Sequence, residues 1–348
     1  MKRAVFIFGA GASASAGLPL QAKLLRDYFG TDMTNSDSFR NLLVSFFNDF
    51  FHIDVQHLDR QDLFPTFEEA LGVLDLAIEK EETFGPNYTL PKMREIRDAL
   101  IYSMGIAIER KKVPSTNAYH KLVRKLFHRG HFADGEFAFI NFNYDILLDK
   151  ALMDLRLQKP KVLIDYGIRF ANENKKGQGG NFQEWFPVSG EVVQYLKPHG
   201  SLNWMHCPTC SSMYILGNQK SEVFRTGYIH TKELCVKDNT TLDFVLEPPS
   251  FFKKYKNAYL QDIWNAMIQL LFQADVIIFI GYSLPDADMW TKYVLKRACF
   301  NSKKHLIVVN KTDREEKRYR RFFGELEYLK MTFDDYVLDW KQHHETWK

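Results

Sequence analysis

The opening of the chain constrains its fold more than any other part of the sequence. Ala4 to Phe8 is a short run of apolar, β-branched and aromatic residues, which is typical of a strand buried on both faces. In Gly9 to Pro19 almost every side chain is small, and apolar residues at helical spacing follow from Leu20 to Tyr28. A strand, a small-residue loop and a helix in this order predict the first unit of a nucleotide-binding α/β fold.

The same pattern returns later in the chain. Further buried strands are predicted at Phe137–Ile140, Asp275–Ile280 and His305–Val309, with helical patterns between them. This alternation predicts an α/β fold class, a Rossmann-like parallel sheet with helices on both faces. Residues 36–130, between the first two strands, have apolar residues at helical spacing over four segments. We interpret them as a helical insertion that packs on the sheet and gates its site.

Composition excludes several classes of protein. The 348 residues carry 46 Lys and Arg against 43 Asp and Glu, a net charge of +3, which gives no general attraction to nucleic acid. The basic stretch 311–321 is interleaved with acidic residues and is expected to be a solvated helix face. No apolar run approaches the ~18 residues of a membrane span. Four cysteines do not make a disulfide scaffold, so we expect a cytoplasmic protein.

Three loops are expected to meet at one edge of the sheet. They are Gly9–Gly17, Asn141–Asp145 and Gly281–Ser283, and each follows a predicted strand. Ligands of open parallel sheets bind at the carboxyl ends of the strands. Backbone amides near a helix N-terminus suit a pyrophosphate, although the spacing is not that of the dehydrogenase fingerprint. The alternative for the second loop is that its Asn and Asp residues only cap the next helix.

A fourth segment, Lys197 to Trp204, contains a histidine between Pro198 and Gly200. This position predicts a tight turn on which His199 is partly exposed. A lone histidine is more often a satisfied surface or core residue than a functional one. The two interpretations of His199 stay open on this segment alone.

Taken together and in this order, the segments resemble the sirtuin superfamily. The motifs that carry the resemblance are Gly9-Ala10-Gly11-Ala12-Ser13 with Ala16-Gly17-Leu18-Pro19, Asn141-Phe142-Asn143-Tyr144-Asp145, His199-Gly200 followed by a Cys-x-x-Cys, Gly281-Tyr282-Ser283 and Val309-Asn310. They span most of the chain outside the insertion.

The amino-acid sequences of these motifs resemble those of bacterial sirtuin-like domains in anti-phage defence systems. Such domains typically consume NAD. Deacetylating sirtuins follow the loop proline with Asp-Phe-Arg, whereas Pro19 is followed here by Leu20-Gln21-Ala22. This departure argues against acyl-lysine chemistry.

The resemblance implies a set of site residues. Asn143 would position water and the ribose hydroxyls, His199 would be the general base, and Asp145 would orient the ribose or nicotinamide end. The residues implied to bind the dinucleotide are Gly9, Ala10, Gly11, Ser13, Gly17, Gly281, Tyr282, Ser283 and Asn310. For Tyr282, a place in the core is the equal alternative.

Sirtuins carry a zinc ribbon where this chain has Cys207-Pro208-Thr209-Cys210. The second half of the ribbon offers Cys235, with His230 nearby, so the implied zinc ligands are Cys207, Cys210, Cys235 and His230. The alternative is a degenerate ribbon with free thiols. The resulting domain prediction is a core of residues 1–35, 131–205 and 245–348, the insertion 36–130, and a ribbon-like segment 206–244.

The function that the resemblance implies is an NAD glycohydrolase that depletes NAD as the effector of an anti-phage system. Alternatives are an NAD-dependent deacylase or ADP-ribosyltransferase and, from another class, a non-catalytic NAD- or ADP-ribose-sensing module. The insertion and the many aromatic residues are candidates for homo-oligomer contacts, and the resemblance implies a HerA-type ATPase or an Argonaute-like protein as a partner.

Overall fold

The computed structural model describes residues 2–30, 38–55, 64–127, 136–159, 161–172, 183–185, 191–215, 234–247, 258–286, 288–340 and 342. The strands are β1 (Ala4–Phe8), β2 (Phe137–Asn141), β3 (Val162–Asp165), β4 (Phe170–Asn172), β5 (Gln183–Trp185), β6 (Glu191–Leu196), β7 (Gly200–His206), β8 (Met213–Ile215), β9 (Asp243–Leu246), β10 (Val276–Ile280), β11 (His305–Asn310) and β12 (Glu327–Lys330). The helices are α1 (Ala10–Ala14), α2 (Gln21–Phe29), α3 (Ser38–Phe51), α4 (Phe67–Lys80), α5 (Leu90–Glu109), α6 (Ala118–Phe127), α7 (Leu147–Gln158), α8 (Ala258–Gln273), α9 (Met289–Cys299), α10 (Asp313–Phe323) and α11 (Phe333–Leu338).

Seven strands form one sheet in the order β12-β11-β10-β1-β2-β6-β3, and every neighbouring pair is parallel. Strands β1, β2 and β10 are buried along their whole length, as their unbroken apolar runs require. The predicted Rossmann-like α/β fold is therefore confirmed.

Helices cover both faces of this sheet. Phe8 packs against Phe333 of α11, with ring centroids 5.7 Å apart. Phe279 pairs in register with Ile7, so its side chain is on the opposite face, where it packs 5.2 Å from Tyr319 of α10. Because helices cover both faces of the sheet, its central strands carry apolar side chains on both faces.

The order of the strands creates a topological switch point at β1. The chain passes from β1 to β2 on one side and later returns to β10 on the other. Phe8 is level with Ile280 of β10 and with Asn141 of β2, and these are the last residues of the three strands. The loops after β1, β2 and β10 therefore begin at the same height, beside the crevice where such sheets bind ligands.

Helices α2 to α5 have an apolar core of their own. It includes Phe46 and Phe47 of α3, Leu71 of α4 and Leu100 of α5, and it extends to Tyr144 of the β2–α7 loop. Helix α6, in contrast, packs in the same cluster as the sheet. The division of the chain into domains remains a prediction.

Two small antiparallel sheets complete the described fold: β8-β7-β9 and β4-β5. Strand β7 begins at the edge of the binding crevice, at Gly200, and ends beside the cysteine segment, at His206. Among the described residues, no helix has the length and apolar character that crossing a membrane requires.

Candidate functional site

Backbone hydrogen bonds join the loops at the switch point. The Gly9 amide donates to Ile280 O at 3.0 Å, and the Gly11 amide donates to Gly281 O at 2.8 Å. On the other side of β1, the Phe142 amide donates to Phe8 O at 3.0 Å. The β1, β2 and β10 loops therefore form one continuous surface at the carboxyl edge of the sheet.

Glycine is required where the first and third loops touch. A Cβ atom at Gly9 would lie 2.5 Å from the Cα of Tyr282, and one at Gly281 would overlap the Ala12 nitrogen. Gly281 also has a φ of 62°, in the left-handed region. Gly17, which ends the first loop, has a φ of 92°. Close backbone approach thus explains Gly9, Gly11 and Gly281, whereas at Gly17 only the positive φ favours glycine.

Asn143, Ser13 and Asp145 form a buried hydrogen-bonded cluster beside these loops. The Asn143 side-chain amide donates to Gly9 O at 2.9 Å and to Ser13 Oγ at 3.0 Å. Ser13 Oγ donates to Asp145 Oδ2 at 2.7 Å and lies 2.9 Å from the Tyr119 hydroxyl. The chain thus brings together three predicted site residues that are up to 132 positions apart.

Asp145 has two structural tasks. Its Oδ1 accepts a hydrogen bond from the Leu147 amide at 3.0 Å, so it also satisfies the start of α7, as the capping alternative predicted. Burial raises the pKa of this carboxyl, against the lowering effects of the Leu147 amide and of Lys197. Burial and the Asp145 charge also raise the pKa of Tyr119 well above its usual range.

A small cavity of about 40 Å³ lies over this cluster. Its lining residues are Ala10, Ser13, Leu18, Pro19, Leu24, Ile108, Phe142, Asn143, Tyr144 and Asp145. Leu24 and Ile108 come from helices α2 and α5, so part of the lining is outside the Rossmann-like sheet. The volume accommodates water and is too small for a dinucleotide.

The prediction that His199 is partly exposed is wrong, because only 2% of its surface is accessible. Its ring packs against the rings of Phe142 and Trp264, with ring-centroid separations of 5.2 and 6.0 Å. The turn itself is tight, as predicted, and the Gly200 amide donates to Lys197 O at 3.0 Å. A Cβ atom at Gly200 would overlap Val245 O, so β9 passes directly against the turn.

Asp288 lies beside His199, and sequence reasoning did not single it out. Its Oδ2 lies 3.8 Å from His199 Nε2 and accepts a hydrogen bond from the Tyr282 hydroxyl at 2.9 Å. An Asp just before a helix normally indicates an N-cap, and that pattern conceals any other use of the carboxylate. The Gly-Tyr-Ser-Leu-Pro-Asp-Ala-Asp motif was the only signal available.

A buried ion pair joins the His199 turn to the Asn141–Asp145 loop, and the sequence did not reveal it either. Lys197 Nζ donates to Asp149 Oδ2 at 3.2 Å, to Asp145 O at 2.7 Å and to Ser201 Oγ at 2.5 Å. The Tyr195 hydroxyl donates to the same Asp149 oxygen at 2.7 Å. Lys197 and Asp149 are fully buried, so the pair fixes the His199 turn relative to the Asn141–Asp145 loop.

The remaining predicted dinucleotide residues lie on the β10 and β11 side of the crevice. Tyr282 is buried, with its ring 4.9 Å from that of Phe142, which fits both the pocket and the core alternatives. Asn310 donates to Tyr282 O at 3.4 Å, and Arg318 donates to Ser283 O at 2.9 Å. Arg318 belongs to the basic stretch 311–321, which we expected to be a solvated helix face, and it contacts the loop after β10 instead.

Four side chains at the end of β7 form a cluster with metal-ligand geometry. The ligand atoms of Cys207, Cys210, Cys235 and Asp238 all lie within 4.8 Å of one another. Zinc–sulfur bonds of ≈ 2.3 Å in a tetrahedron require ligand separations of roughly 3.8 Å, so the cluster has the size of a zinc site. Of the predicted ligands, His230 lies outside the described residues.

The two halves of this cluster have the same backbone geometry. Ser211 N donates to Cys207 O at 2.9 Å, and Asn239 N donates to Cys235 O at 2.7 Å. Ser211 and Asn239 each have a φ of 57°. Asp238 therefore occupies, in a Cys-x-x-Asp turn, the position that Cys210 has in the Cys-x-x-Cys turn.

Comparisons with known proteins find similarity among solved structures. No protein-family model matches the chain, and no curated protein matches it. Among solved structures, the chain is similar to a mutant of a Sir2 homologue in complex with ADP-ribose. The TM-score is 0.43 and the sequence identity 14%, over 99% of this chain and 92% of that chain.

Proposed function

We propose that this protein is a sirtuin-like NAD⁺ glycohydrolase that cleaves NAD⁺ to nicotinamide and ADP-ribose. The observation that carries the proposal is the buried cluster of Asn143, Ser13 and Asp145 at the carboxyl edge of β1 and β2, with His199 on the adjoining turn. Polar side chains buried at a switch-point crevice are the arrangement expected of a site and not of a core.

The dinucleotide would lie across the loops after β1 and β10. Gly9, Gly11 and Gly281 bring their backbones into contact, so no side chain separates the two loops. Ala10, Ser13 and Gly17 would complete the phosphate side of the first loop, and Tyr282, Ser283 and Asn310 would contact the ribose and phosphate from the third. The Gly9, Gly11 and Ala12 amides already donate within this loop pair, so a pyrophosphate would have to be bound by other donors of the two loops.

The reaction requires an attacking water and a developing positive charge to be stabilised at the ribose. In our proposal, Asn143 orients the water and His199 removes its proton while the water oxygen bonds to the anomeric carbon. The bond from that carbon to the pyridinium nitrogen breaks, and its electron pair makes nicotinamide neutral. In the same proposal, the Asp145 carboxylate orients the ribose or the nicotinamide end while the oxocarbenium-like charge forms.

The small volume of the cavity over the cluster supports gating as part of this proposal. Leu24 of α2 and Ile108 of α5 line a space of about 40 Å³, so these helices would have to move before NAD⁺ enters. We propose that this restraint belongs to an effector of anti-phage defence that acts in the cytoplasm as a homo-oligomer, under the control of a HerA-type ATPase or an Argonaute-like protein. The sirtuin-like motifs support this part of the proposal.

We also propose that the protein binds one zinc ion through Cys207, Cys210, Cys235 and Asp238. The repeated turn geometry supports Asp238 as the fourth ligand, where the sequence suggested His230. The zinc site would lie at one end of β7, and the other end of β7 begins next to His199. In this proposal, zinc therefore helps to hold the strand that carries the His199 turn.

Nicotinamide release from NAD⁺ tests the proposed function. The protein should release nicotinamide and ADP-ribose in equal amounts, and His199→Ala and Asn143→Ala should each lower kcat by at least ~100-fold. His305→Ala is the matched control. His305 is an exposed histidine at the first residue of β11, whereas the proposed site residue Asn310 is the last residue of that strand. Undiminished turnover in both site variants would overturn the assignment.

The same assay separates the alternatives. Nicotinamide release that depends on an acyl-lysine peptide or on a protein acceptor would indicate a deacylase or an ADP-ribosyltransferase. Calorimetric binding of NAD⁺ without release, in the presence of the partner protein, would indicate a sensing module.

A further inference from the structure

Helix α10 holds the loop after β10 through three consecutive carbonyl groups of that loop. The Tyr319 hydroxyl donates to Tyr282 O at 2.9 Å. Arg318 Nη1 donates to Ser283 O at 2.9 Å and to Leu284 O at 3.4 Å. Arg318 and Tyr319 are neighbours in α10, so all three carbonyls point toward this helix.

Leu284 has a strained backbone in this loop. Its φ is 50°, in the left-handed region that a bulky residue other than glycine rarely adopts. Such a conformation persists only where the surroundings hold it, and it is common where a protein binds a ligand. The Ser283 and Leu284 carbonyls belong to the two peptide groups that flank the Leu284 Cα. The Arg318 guanidinium therefore bridges these peptide groups and holds the conformation.

Arginine suits this position better than lysine would. Nη1 of Arg318 donates to the two carbonyls, while Nη2 lies 3.8 Å from Asp286 Oδ2, farther along the loop. Lys292 Nζ donates to the other oxygen of Asp286 at 2.8 Å, so this end of the loop is held as well. A guanidinium presents its donors in a rigid fork, whereas an ammonium is a compact point charge. Arg318 thus interacts with three groups of one loop at the same time.

Ser283 has two hydrogen-bond donors that the protein does not use. The peptide group between Tyr282 and Ser283 directs its C=O toward α10, so its N–H points away from that helix. Among the described residues, neither this N–H nor the Ser283 hydroxyl has an acceptor in the protein. Ser283 is exposed, and it lies just after β10, at the carboxyl edge of the sheet. Two adjacent unpaired donors at this edge suit an anionic group of a ligand.

We propose that Arg318 is a positioning residue for dinucleotide binding: it holds the loop after β10 in the conformation in which the N–H and the hydroxyl of Ser283 bind the pyrophosphate. Tyr319 holds the preceding peptide group in the same conformation. The inference rests on the proposed function for the identity of the ligand. Because Asn143 and His199 lie on other loops, Arg318 contributes to affinity and not to bond cleavage.

Binding of ADP-ribose measures this contribution, because ADP-ribose contains the pyrophosphate and lacks the nicotinamide bond. Arg318→Ala should raise the Kd for ADP-ribose by ~10-fold or more, since two hydrogen bonds from a charged donor are lost. The kcat for NAD⁺ should stay within ~3-fold of the wild type, as expected when only binding is affected. Arg318→Lys should recover part of the affinity, because an ammonium replaces the charge without the fork.

Arg320→Ala is the matched control for the loss of one positive charge from α10. Arg320 pairs with Glu316 on the same helix, so its removal should leave the Kd for ADP-ribose within ~2-fold of the wild type. A Kd for Arg318→Ala that also stays within ~2-fold would overturn the proposal. A lower melting temperature with that unchanged Kd would show that Arg318 only stabilises the fold.

A second variant serves if Arg318→Ala does not fold. Tyr319→Phe removes only the hydroxyl that donates to Tyr282 O, and it should raise the Kd for ADP-ribose by ~3-fold or more. Wild-type affinity in both Tyr319→Phe and Arg318→Lys would overturn the proposal.

The two proposals can fail separately. If the wild type binds ADP-ribose with this dependence on Arg318 and yet does not cleave NAD⁺, the proposed function fails and the role of Arg318 stands. If the wild type cleaves NAD⁺ and Arg318→Ala binds ADP-ribose as tightly as the wild type, the role of Arg318 alone fails. If the wild type binds no ADP-ribose, the role of Arg318 fails as well.

Discussion

At the scale of single residues, the absence of a side chain is required at some glycines and not at others. Gly281 lies where the β10 loop crosses the β1 loop, with a positive φ and with the Ala12 nitrogen where a Cβ would be. Gly72, in the middle of α4, has nothing within 4 Å of a Cβ position. The same residue type is thus required in one place and merely tolerated in the other.

Alanine substitution of these two glycines should therefore have opposite effects. Gly281→Ala should lower the free energy of unfolding by ~3 kcal/mol or more, because backbone must move to admit the methyl group. Gly72→Ala should raise it by about 0.5–1 kcal/mol, since alanine is the better helix former. Urea denaturation measures both, and equal effects of the two substitutions would contradict the account of the loop crossing.

Residue patterns predicted part of the site and failed where burial depends on distant segments. Asn143, Ser13 and Asp145 could be predicted to meet because each follows a strand of the same sheet. The burial of His199 could not, because Trp264, whose ring packs against it, and β9, which passes against its turn, are far away in the sequence. Asp288 was not singled out because an aspartate at a helix start looks the same in sequence whichever side chain it lies beside.

At the scale of elements, the metal cluster consists of two equivalent turns. Each turn begins at a buried cysteine, Cys207 or Cys235, whose carbonyl accepts from the residue four positions later. The sequence revealed the first turn through Cys-x-x-Cys. The second turn has Asp238 in place of a cysteine, so only its backbone geometry reveals it.

Zinc analysis tests this equivalence. Protein purified without chelators should contain about one zinc per chain, and chelation should lower its melting temperature. Asp238→Ala should lower the zinc content, whereas Asp238→Cys should retain it. Cys299→Ser is the control, because that cysteine lies at the end of α9 outside the cluster. Full zinc content in Cys207→Ser would contradict the assignment.

At the scale of the whole molecule, the helices between β1 and β2 pack directly on the proposed site. Their apolar core includes Tyr144, and Leu24 and Ile108 line the cavity above Asn143. The sequence predicted a helical block that gates a site from its length and periodicity alone. It gave no sign that Glu68 of this block interacts with Asp288, since that contact depends on tertiary packing.

Glu68 should make the stability of the protein depend on pH. Burial, followed by the charges of Glu69 and Asp288, raises the pKa of Glu68 to about 7 from its usual 4.5. The folded state therefore holds this proton more tightly, so stability from this group is complete below pH ~4.5 and is lost as the pH rises to ~7. Glu68→Gln should remove that loss.

The measurement is the free energy of unfolding from pH 4.5 to 8. Glu68→Gln should become more stable relative to the wild type as the pH rises through this range. Glu95→Gln, at an exposed carboxylate on α5, controls for the loss of one negative charge. A stability difference between Glu68→Gln and the wild type that is the same at pH 5 and pH 8 would contradict a proton-binding Glu68.

The central claim is that the loops at the carboxyl ends of β1, β2 and β10 bind and cleave NAD⁺. An experimental structure of the Asn143→Ala protein soaked with NAD⁺ tests it most directly. We predict the pyrophosphate against Gly9–Ser13 and Gly281, and the nicotinamide ribose between position 143 and His199, with Leu24 and Ile108 displaced. A dinucleotide bound away from these loops, or in a pose with the ribose remote from His199, would contradict the account.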